Sequence, residues 1–204
     1  MKVKLLTSTP DPEHTILTGY LNCQNRSLDI PFKLDEIPDE ERFKRIFKDG
    51  HFSVLEHASA TVRISDVSRS LLAQLTRHRL FSYSVRSMRT VHASLEDTVI
   101  PRSVKERGME IEFNGALKHA HFVYNTMIDA GVPLEDARFI LPLGTKTEIV
   151  MTGNFRNWIH FLRERSGLKG KPQWEIQAVA QAIWRTLSDI APNVFNTEYT
   201  KYWE

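Results

Sequence analysis

Residues 77–89 run Arg77-His78-Arg79-Leu80-Phe81-Ser82-Tyr83-Ser84-Val85-Arg86-Ser87-Met88-Arg89. Four of these residues are arginines and three are serines. Upstream, Ser68 is of the type that caps helix N-termini, and Leu71 and Leu75 repeat at helical spacing, which predicts a helix running into Arg77. Downstream, residues 82–92 lack a helical apolar period and are predicted to be extended. The sequence therefore predicts a passage from helix to strand that is rich in cationic side chains.

The side chains of this passage suit a negatively charged ligand. Gln74, Arg77 and His78 are three or four residues apart, so a helix would present them on one side. In an extended segment, Ser87 and Arg89 would share one face. Arginine offers a planar fork of donors and serine a short neutral donor, which favours an oxyanion such as phosphate. The alternatives are a solvated basic face and an RNA-binding patch in which neighbouring aromatic rings stack on bases.

The rest of the chain alternates helical and strand patterns. Strands are predicted at 1–8, 62–67 and 145–152. Helices are predicted at 13–24, 38–50, 104–130, 134–141, 154–165 and 174–190, the long one being broken or frayed near Asn114-Gly115. No repeat, low-complexity tract or linker divides the sequence. We therefore predict a single α+β domain over residues 1–204, rich in helices and with a small mixed or antiparallel sheet.

Composition restricts the class of protein. The 204 residues carry 27 Lys plus Arg against 25 Asp plus Glu, a formal charge of +2, which argues against a nucleic-acid-binding field over the whole protein. The single cysteine, Cys23, excludes an internal disulfide and a cysteine-rich metal site and favours a reducing compartment. Apolar runs are too short to span a membrane. We expect a cytoplasmic protein without membrane or nucleic-acid partners, in which Cys23 is a small buried side chain rather than a nucleophile.

A second group of candidate residues contains histidines. His51 and His57, together with His78, could supply three imidazole ligands, but the gap between the first two matches no usual metal-ligand spacing, so no metal is expected. The ordinary alternative for His57 is a core residue that donates to a backbone carbonyl. The sequence has no glycine-rich phosphate loop, so a dinucleotide would have to be held without that motif.

A third group lies on the predicted helix over residues 154–165. Asn154, Phe161 and Arg165 fall on nearly one line of this helix, while Arg156 and His160 form an i,i+4 pair on an adjoining strip. Polar groups that flank an aromatic ring can cradle a flat heteroaromatic ligand. A helix with one solvated side would show the same pattern.

These groups together resemble a known family. Arg77-His78-Arg79 followed after seven residues by Ser87, with Ser82 and Arg89 in place, is similar to the signature of the flavin-dependent (alternative) thymidylate synthases. Four other segments resemble further motifs of that family and lie in the same order along the chain. They are Gly50-His51-Phe52-Ser53-Val54-Leu55-Glu56-His57, Ala137-Arg138-Phe139-Ile140-Leu141-Pro142, Asn154-Phe155-Arg156 and Gln173-Trp174-Glu175-Ile176. The resemblance spans roughly residues 1–190.

The resemblance implies an enzyme and its partners. It implies an α+β homotetramer with active sites shared between subunits, which binds FAD and methylates C5 of dUMP. The carbon donor would be 5,10-methylenetetrahydrofolate, and NADPH would reduce the flavin. Such an enzyme uses no protein nucleophile, which agrees with a chain whose one cysteine has no activating neighbour.

The resemblance also assigns roles to residues. It implies dUMP ligands at Gln74, Ser87, Arg89, Arg138 and Arg165. It implies flavin contacts at Ser53, Glu56, Arg77, His78, Arg79, Asn154, Arg156 and His160. Arg165 would face the uracil carbonyl and stabilise negative charge on the ring, His51 would lie where folate and flavin meet, and Ser87 would bind substrate rather than attack it.

Three departures from the family pattern affect the ligand pocket. Ser84-Val85 replaces a polar pair, Thr90 replaces an aromatic residue after Arg89, and Lys169-Gly170-Lys171-Pro172 replaces the usual approach to Gln173. These changes keep open an alternative, a related flavin-dependent methylase or hydroxymethylase that acts on UMP or dCMP.

Overall fold

The computed structural model describes residues 1–23, 38–95 and 97–203 and contains a four-stranded antiparallel sheet. The strands are β1 (Lys2–Ser8), β2 (Ser59–Ser68), β3 (Ser82–Val85) and β4 (Lys146–Asn154). Their order in the sheet is β1-β2-β4-β3. Strands were predicted at all four places, although the boundaries differ.

Helices make up most of the remaining described chain. They are α1 (Pro12–Asn22), α2 (Asp39–Lys48), α3 (Arg69–Leu75), α4 (Arg102–Glu106), α5 (Glu110–Asp129), α6 (Leu134–Ala137), α7 (Phe155–Arg165) and α8 (Trp174–Ser188). Short 3-10 helices cover Phe52–His57, Arg138–Ile140 and Thr197–Tyr202. The predicted α+β class is confirmed. Within the described residues, no helix combines the length and apolar character needed to cross a membrane.

The chain divides into two compact units. The α5 unit comprises residue 1 and residues 64–77 and 84–149, and the α7 unit comprises residues 2–63, 78–83 and 150–204. The single domain expected over residues 1–204 stays a prediction.

The α7 unit has an aromatic core. Trp158, Phe161 and Phe81 are buried, and the ring centroids of Phe81 and Trp158 lie 4.6 Å apart in an edge-to-face arrangement. The indole N–H of Trp158 donates to the Ala60 carbonyl (3.3 Å), which ties α7 to β2. Gly153 is needed here because a Cβ at this position would lie 2.4 Å from the Phe81 ring. The core therefore fixes the start of α7.

Helix α8 packs its predicted apolar face into the α7 unit. Its buried residues include Ile176, Val179, Ala180, Ile183 and Leu187. The Gln173 side chain caps the helix by accepting N–H groups of Glu175 (2.9 Å) and Ile176 (3.3 Å). Such a cap satisfies backbone donors that have no partner within the helix.

The α5 unit is built around one long helix. Leu117, His121 and Tyr124 lie on the buried face of α5, while Leu71 and Leu75 of α3 are fully buried. Ser68 caps α3 by accepting the N–H of Leu71 (3.3 Å), as predicted.

The structure corrects two predicted boundaries, the end of α3 and the end of β3. Helix α3 ends at Leu75, so Arg77 and His78 follow the helix and do not share a face with Gln74. Strand β3 ends at Val85, and Arg89 lies beyond it, so the alternation predicted for residues 85–89 is wrong. The reason is local: the Arg89 N–H donates to the Ser87 side chain (3.1 Å), which turns the chain out of the sheet.

The long predicted helix breaks earlier than expected. Helix α4 ends at Glu106 and α5 begins at Glu110, so the break lies at residues 107–109. Gly108 has φ +68°, a left-handed conformation that ends helices, whereas Gly115 continues inside α5 because a helix tolerates one glycine at about 1 kcal/mol.

Two further expectations concern α1. Cys23 follows this helix and is exposed, so the expected burial is wrong. The helix ends at Asn22, and the last residue of the helix predicted over 13–24 lies outside the described residues.

Candidate functional site

A hydrogen bond between a buried histidine and an arginine marks the candidate site in the α7 unit. His78 lies in the loop after α3, and Arg165 is the last residue of α7. The Nε–H of Arg165 donates to Nε2 of His78 over 2.9 Å. Edge-to-face contact with Phe161 (5.0 Å) and with His160 (6.0 Å) holds the His78 ring. Residues 87 positions apart in sequence are thereby joined.

The environment keeps His78 neutral. Burial, and secondarily the nearby charge of Arg165, lowers the pKa of His78 to about 4 from its ordinary value of 6.5. Because Nε2 accepts the bond from Arg165, the ring proton of the neutral form resides on Nδ1. The pair therefore carries one positive charge, on the guanidinium.

An open groove lies beside these residues in the α7 unit. Its lining consists of Phe52, Glu56, Leu80, Arg156, Asn157, Ile159, His160, Arg163 and Trp203. Nη1 of Arg156 pairs with Oε1 of Glu56 over 2.6 Å, and the amide of Asn157 donates to the Leu80 carbonyl over 2.8 Å. Apolar walls with guanidinium and imidazole groups at the edge fit a flat ring carrying anionic groups, such as a flavin nucleotide.

The predicted flavin residues divide between this groove and other places. Glu56, Arg156 and His160 line the groove. Asn154 instead caps α7, since its Oδ1 accepts the N–H of Asn157 over 2.9 Å. The other members of the predicted set are His78, described above, and the exposed residues Ser53, Arg77 and Arg79.

A separate cluster of cationic side chains lies in the α5 unit. The Nε–H of Arg89 donates to the Glu135 carboxylate (2.9 Å), and the Nε–H of Arg138 donates to the Glu135 backbone carbonyl (2.9 Å). The Ser87 side chain accepts the N–H of Arg89, as noted above. Arg89 and Arg138 thus both contact Glu135, and Ser87 contacts Arg89. All three of Ser87, Arg89 and Arg138 are predicted nucleotide ligands.

Sequence reasoning missed Arg69 in this cluster. Its Nη2–H donates to the Arg86 carbonyl (2.7 Å), while its Nε is buried without a hydrogen-bond partner among the described residues. Burial, and then the charge of Arg138, lowers the pKa of the Arg69 guanidinium. Together with Ser87 and Lys146, Arg69 lines a small pocket with room for about one water molecule. Arg69 is the first residue of α3, where the helix dipole disfavours a positive charge. A cation at such a position is the signal in the sequence that points to this residue.

Two predicted site residues stand apart from these clusters. Gln74 is half-buried on α3 and does not line the Arg69 pocket. His51 is exposed, with its ring against Tyr20 (centroid distance 5.8 Å).

Two further observations concern the histidines. His57 is exposed and lies beside Gly19, where a Cβ would be 2.8 Å from its ring, so it is not a core residue. Across the described parts of the chain, no group of three or more His, Cys, Asp or Glu is placed to hold a metal ion.

Comparison with known proteins agrees with the predicted family. Residues 4–193 match the family described as thymidylate synthase complementing protein. A flavin-dependent thymidylate synthase of Geobacter sulfurreducens is 38% identical over 203 residues, which covers 96% of this chain and 85% of that protein. A flavin-dependent thymidylate synthase of Pyrococcus horikoshii is 38% identical over 198 residues, covering 94% and 79%.

Among solved structures, a UMP/dUMP methylase from Streptomyces cacaoi, crystallised with 5-Br dUMP, shares the fold. The TM-score is 0.79, with coverage of 98% of this chain and 94% of that one, and 20% sequence identity. With both the motif order and the length of the match in agreement, this chain belongs to the thymidylate synthase complementing protein family, that of the flavin-dependent thymidylate synthases.

Proposed function

We propose that this protein synthesises dTMP by reductive methylation of dUMP at C5. The carbon donor is 5,10-methylenetetrahydrofolate, and the cofactor is FAD reduced by NADPH. When bound, the flavin supplies the hydride that this chemistry needs. The chain's own residues bind the nucleotide, orient the uracil and stabilise charge that develops on the ring.

The observation that carries the proposal is the convergence of Ser87, Arg89 and Arg138 in the α5 unit. These residues come from segments about fifty positions apart, and both arginines bond to Glu135. A shared anchor fixes their guanidinium groups before a ligand arrives, which lowers the entropy cost of binding a phosphate. Arg69 adds a buried guanidinium nitrogen that has no hydrogen-bond partner among the residues the structure describes, and a nucleotide oxygen would satisfy it.

Arg165 is proposed to face the uracil carbonyl. Its guanidinium is a permanent cation in a half-buried position, and negative charge that appears on the carbonyl oxygen during attack from C5 would be stabilised there. In the groove of the α7 unit, Arg156 and His160 are proposed to contact the FAD. The exposed His51 is proposed to meet the folate.

Assembly and location complete the proposal. Three large ligands need a larger binding surface than the groove of one unit offers, so we propose a homotetramer whose subunits share active sites. We place the enzyme in the cytoplasm, where NADPH and folate are available and the exposed Cys23 stays reduced.

The test is turnover of dUMP, UMP and dCMP in parallel. Purified protein is supplied with 5,10-methylenetetrahydrofolate, FAD and NADPH, and the nucleotide product is identified by mass. A product from dUMP that is heavier by CH2, as expected when a methyl group replaces the C5 hydrogen, supports the proposal if it forms together with NADPH oxidation. No product from dUMP, with flavin bound, contradicts it.

A second candidate function is methylation or hydroxymethylation of UMP or dCMP. Val85 and Thr90 stand where the family pattern has a polar residue and an aromatic ring, and they flank Ser87 in the segment 85–90. Loss of a polar partner and a ring changes what the pocket can recognise on a pyrimidine. Product from UMP or dCMP alone in the same assay would establish this function instead.

A further inference from the structure

We propose that the side-chain amide of Asn157 binds the polar edge of a ring system of FAD, through one acceptor and one donor. The inference rests on the proposed function, in which the groove of the α7 unit holds FAD. Both ring systems of FAD carry such an edge. The isoalloxazine has N3–H beside carbonyl oxygens, and adenine has its N6 amino group beside ring nitrogens. The amide of an asparagine is complementary to an edge of this kind.

The first step of the argument is that the amide of Asn157 is held in one orientation. Its Nδ2 donates to the Leu80 carbonyl over 2.8 Å. A carbonyl oxygen can only accept, so Nδ2 and not Oδ1 faces Leu80. The backbone N–H of Asn157 is also held, since it donates to Oδ1 of Asn154 over 2.9 Å. A side chain that is fixed before the ligand arrives loses less conformational freedom on binding.

The second step is that this amide keeps a donor and an acceptor for a ligand. Asn157 lines the groove and is half-buried. Its Nδ2 carries two N–H groups, and the Leu80 carbonyl takes one of them. Within residues 1–23, 38–95 and 97–203, Oδ1 of Asn157 accepts no hydrogen bond. Oδ1 and the second N–H are therefore available to a ring edge in the groove.

The third step concerns the other polar side chains that line the groove. Arg156 and Arg163 provide donors and positive charge, which suit the phosphate groups of a flavin nucleotide but offer no acceptor to a ring N–H. The Glu56 carboxylate already accepts from Arg156 over 2.6 Å. His160 is exposed, and in the described part of the chain no hydrogen bond fixes its ring. Asn157 is thus the neutral acceptor in this lining whose direction is set by the fold.

The bond to Leu80 also gives Asn157 an indirect effect on the groove. The Leu80 side chain is 74% exposed and lines the groove. Loss of the amide would release the Leu80 backbone and with it this apolar side chain. A test has to separate a direct bond to FAD from this release, and affinity for FAD alone does not separate them.

The test measures the Kd of wild type and Asn157→Ala for three ligands by calorimetry. The ligands are FAD, FAD methylated at N3, and the FAD analogue in which hypoxanthine replaces adenine. Methylation removes the N3–H donor, and hypoxanthine lacks the N6 amino donor. Asn193→Ala is the matched control, because the Asn193 amide donates to Glu13 over 2.8 Å and does not line the groove.

We expect Asn157→Ala to weaken FAD binding about 5- to 20-fold, the range for loss of one or two neutral hydrogen bonds. One of the two analogues is expected to bind wild type more weakly by a similar factor. For that analogue, Asn157→Ala should cost less than about 2-fold, because the mutation and the modification remove partners of the same bond. Coupling to N3 methylation places the amide at the isoalloxazine, and coupling to hypoxanthine places it at adenine. Asn193→Ala should bind all three ligands as wild type does.

Two results would overturn this role of Asn157 while leaving the proposed function intact. One is FAD affinity in Asn157→Ala within about 2-fold of wild type. The other is a loss of equal size for FAD and both analogues, which would mean that Asn157 acts only by holding Leu80. Thermal unfolding shows whether Asn157→Ala folds, and if it does not, Asn157→Ser, which also lacks the amide, takes its place in the same comparison. Wild-type protein that binds FAD but forms no dTMP would contradict the proposed function alone, and wild-type protein that binds no FAD would contradict both.

Discussion

At the scale of single residues, the buried His78 connects stability to pH. Its folded-state pKa of about 4 lies below the ordinary value of 6.5, so between these values the unfolded chain binds more protons than the folded one. The stabilisation is complete above pH 6.5 and is lost as the pH falls towards 4. We predict that the free energy of unfolding, measured by denaturant titration, decreases over this window.

The control for this prediction is His78→Gln, which cannot titrate. The slope of unfolding free energy against pH should be shallower in this variant, and His121, whose pKa is also lowered by burial, should account for part of the remainder. Equal slopes in wild type and His78→Gln would contradict the pH linkage assigned to His78.

Ser87 gives a second prediction at this scale. Its hydroxyl accepts a backbone N–H and lies in a cationic cluster, and among the described residues no histidine or carboxylate hydrogen-bonds to it. We predict that Ser87→Ala weakens dUMP binding about 5- to 20-fold, the range expected for one lost hydrogen bond, and retains turnover at saturating dUMP. A covalent adduct on Ser87, detected by mass spectrometry of the stalled enzyme, would show that it is a nucleophile.

The positions of Ser87, Arg89 and Arg138 followed from the family spacing, and their role as nucleotide ligands stays a prediction. The place of Glu135 and Arg69 in the same cluster did not follow from it, because their contacts join distant segments of the chain. Burial of His78 was missed for the same reason: the helix was expected to continue through it, whereas α3 ends at Leu75 and the loop turns the ring inward.

At the scale of secondary-structure elements, the start of α7 determines where its functional side chains lie. The Asn154 side chain accepts the N–H of Asn157, which satisfies one donor of the first turn. We predict that Asn154→Ala lowers the free energy of unfolding by about 0.5–2 kcal/mol, whereas Asn154→Asp keeps the cap and most of the stability. Denaturant unfolding measures both, and equal losses in the two variants would argue against the capping role.

The glycine that precedes this cap gives a prediction about packing. In Gly153→Ala, the new methyl would overlap the Phe81 ring, which packs against Trp158, so the variant is expected to lose about 1–3 kcal/mol of stability. Gly115→Ala is the control, because nothing lies within 4 Å of its Cβ and an exposed helical site gains about 0.5–1 kcal/mol from alanine. Opposite shifts in melting temperature are expected, and a neutral Gly153→Ala would contradict the close packing.

Elements with long apolar periods were predictable, and short ones were not. The buried stripe of α8 from Ile176 to Leu187 follows helical spacing throughout, so its position was evident. The 3-10 helix at Phe52–His57 has too few residues to show a period. Strand β3 was expected to continue to residue 92, but the pattern does not reveal that the Ser87 side chain competes for a backbone N–H.

At the scale of the whole molecule, the α+β class followed from the mixture of periods, and the family followed from the order of its motifs along the chain. The grouping of the chain into an α5 unit and an α7 unit could not be predicted from the sequence, because each unit is assembled from segments far apart in sequence. The exposure of Cys23 was also not predictable from its apolar character.

The most direct test of the central claim is dTMP synthesis by Cys23→Ser, a protein without any cysteine. It is supplied with dUMP, 5,10-methylenetetrahydrofolate, FAD and NADPH, and dTMP is identified by mass. Flavin-dependent synthesis without a protein nucleophile predicts dTMP formation at the wild-type rate, with NADPH consumed, because a thiolate takes no part. Wild-type protein that forms dTMP while Cys23→Ser folds, binds flavin and forms none would contradict the account.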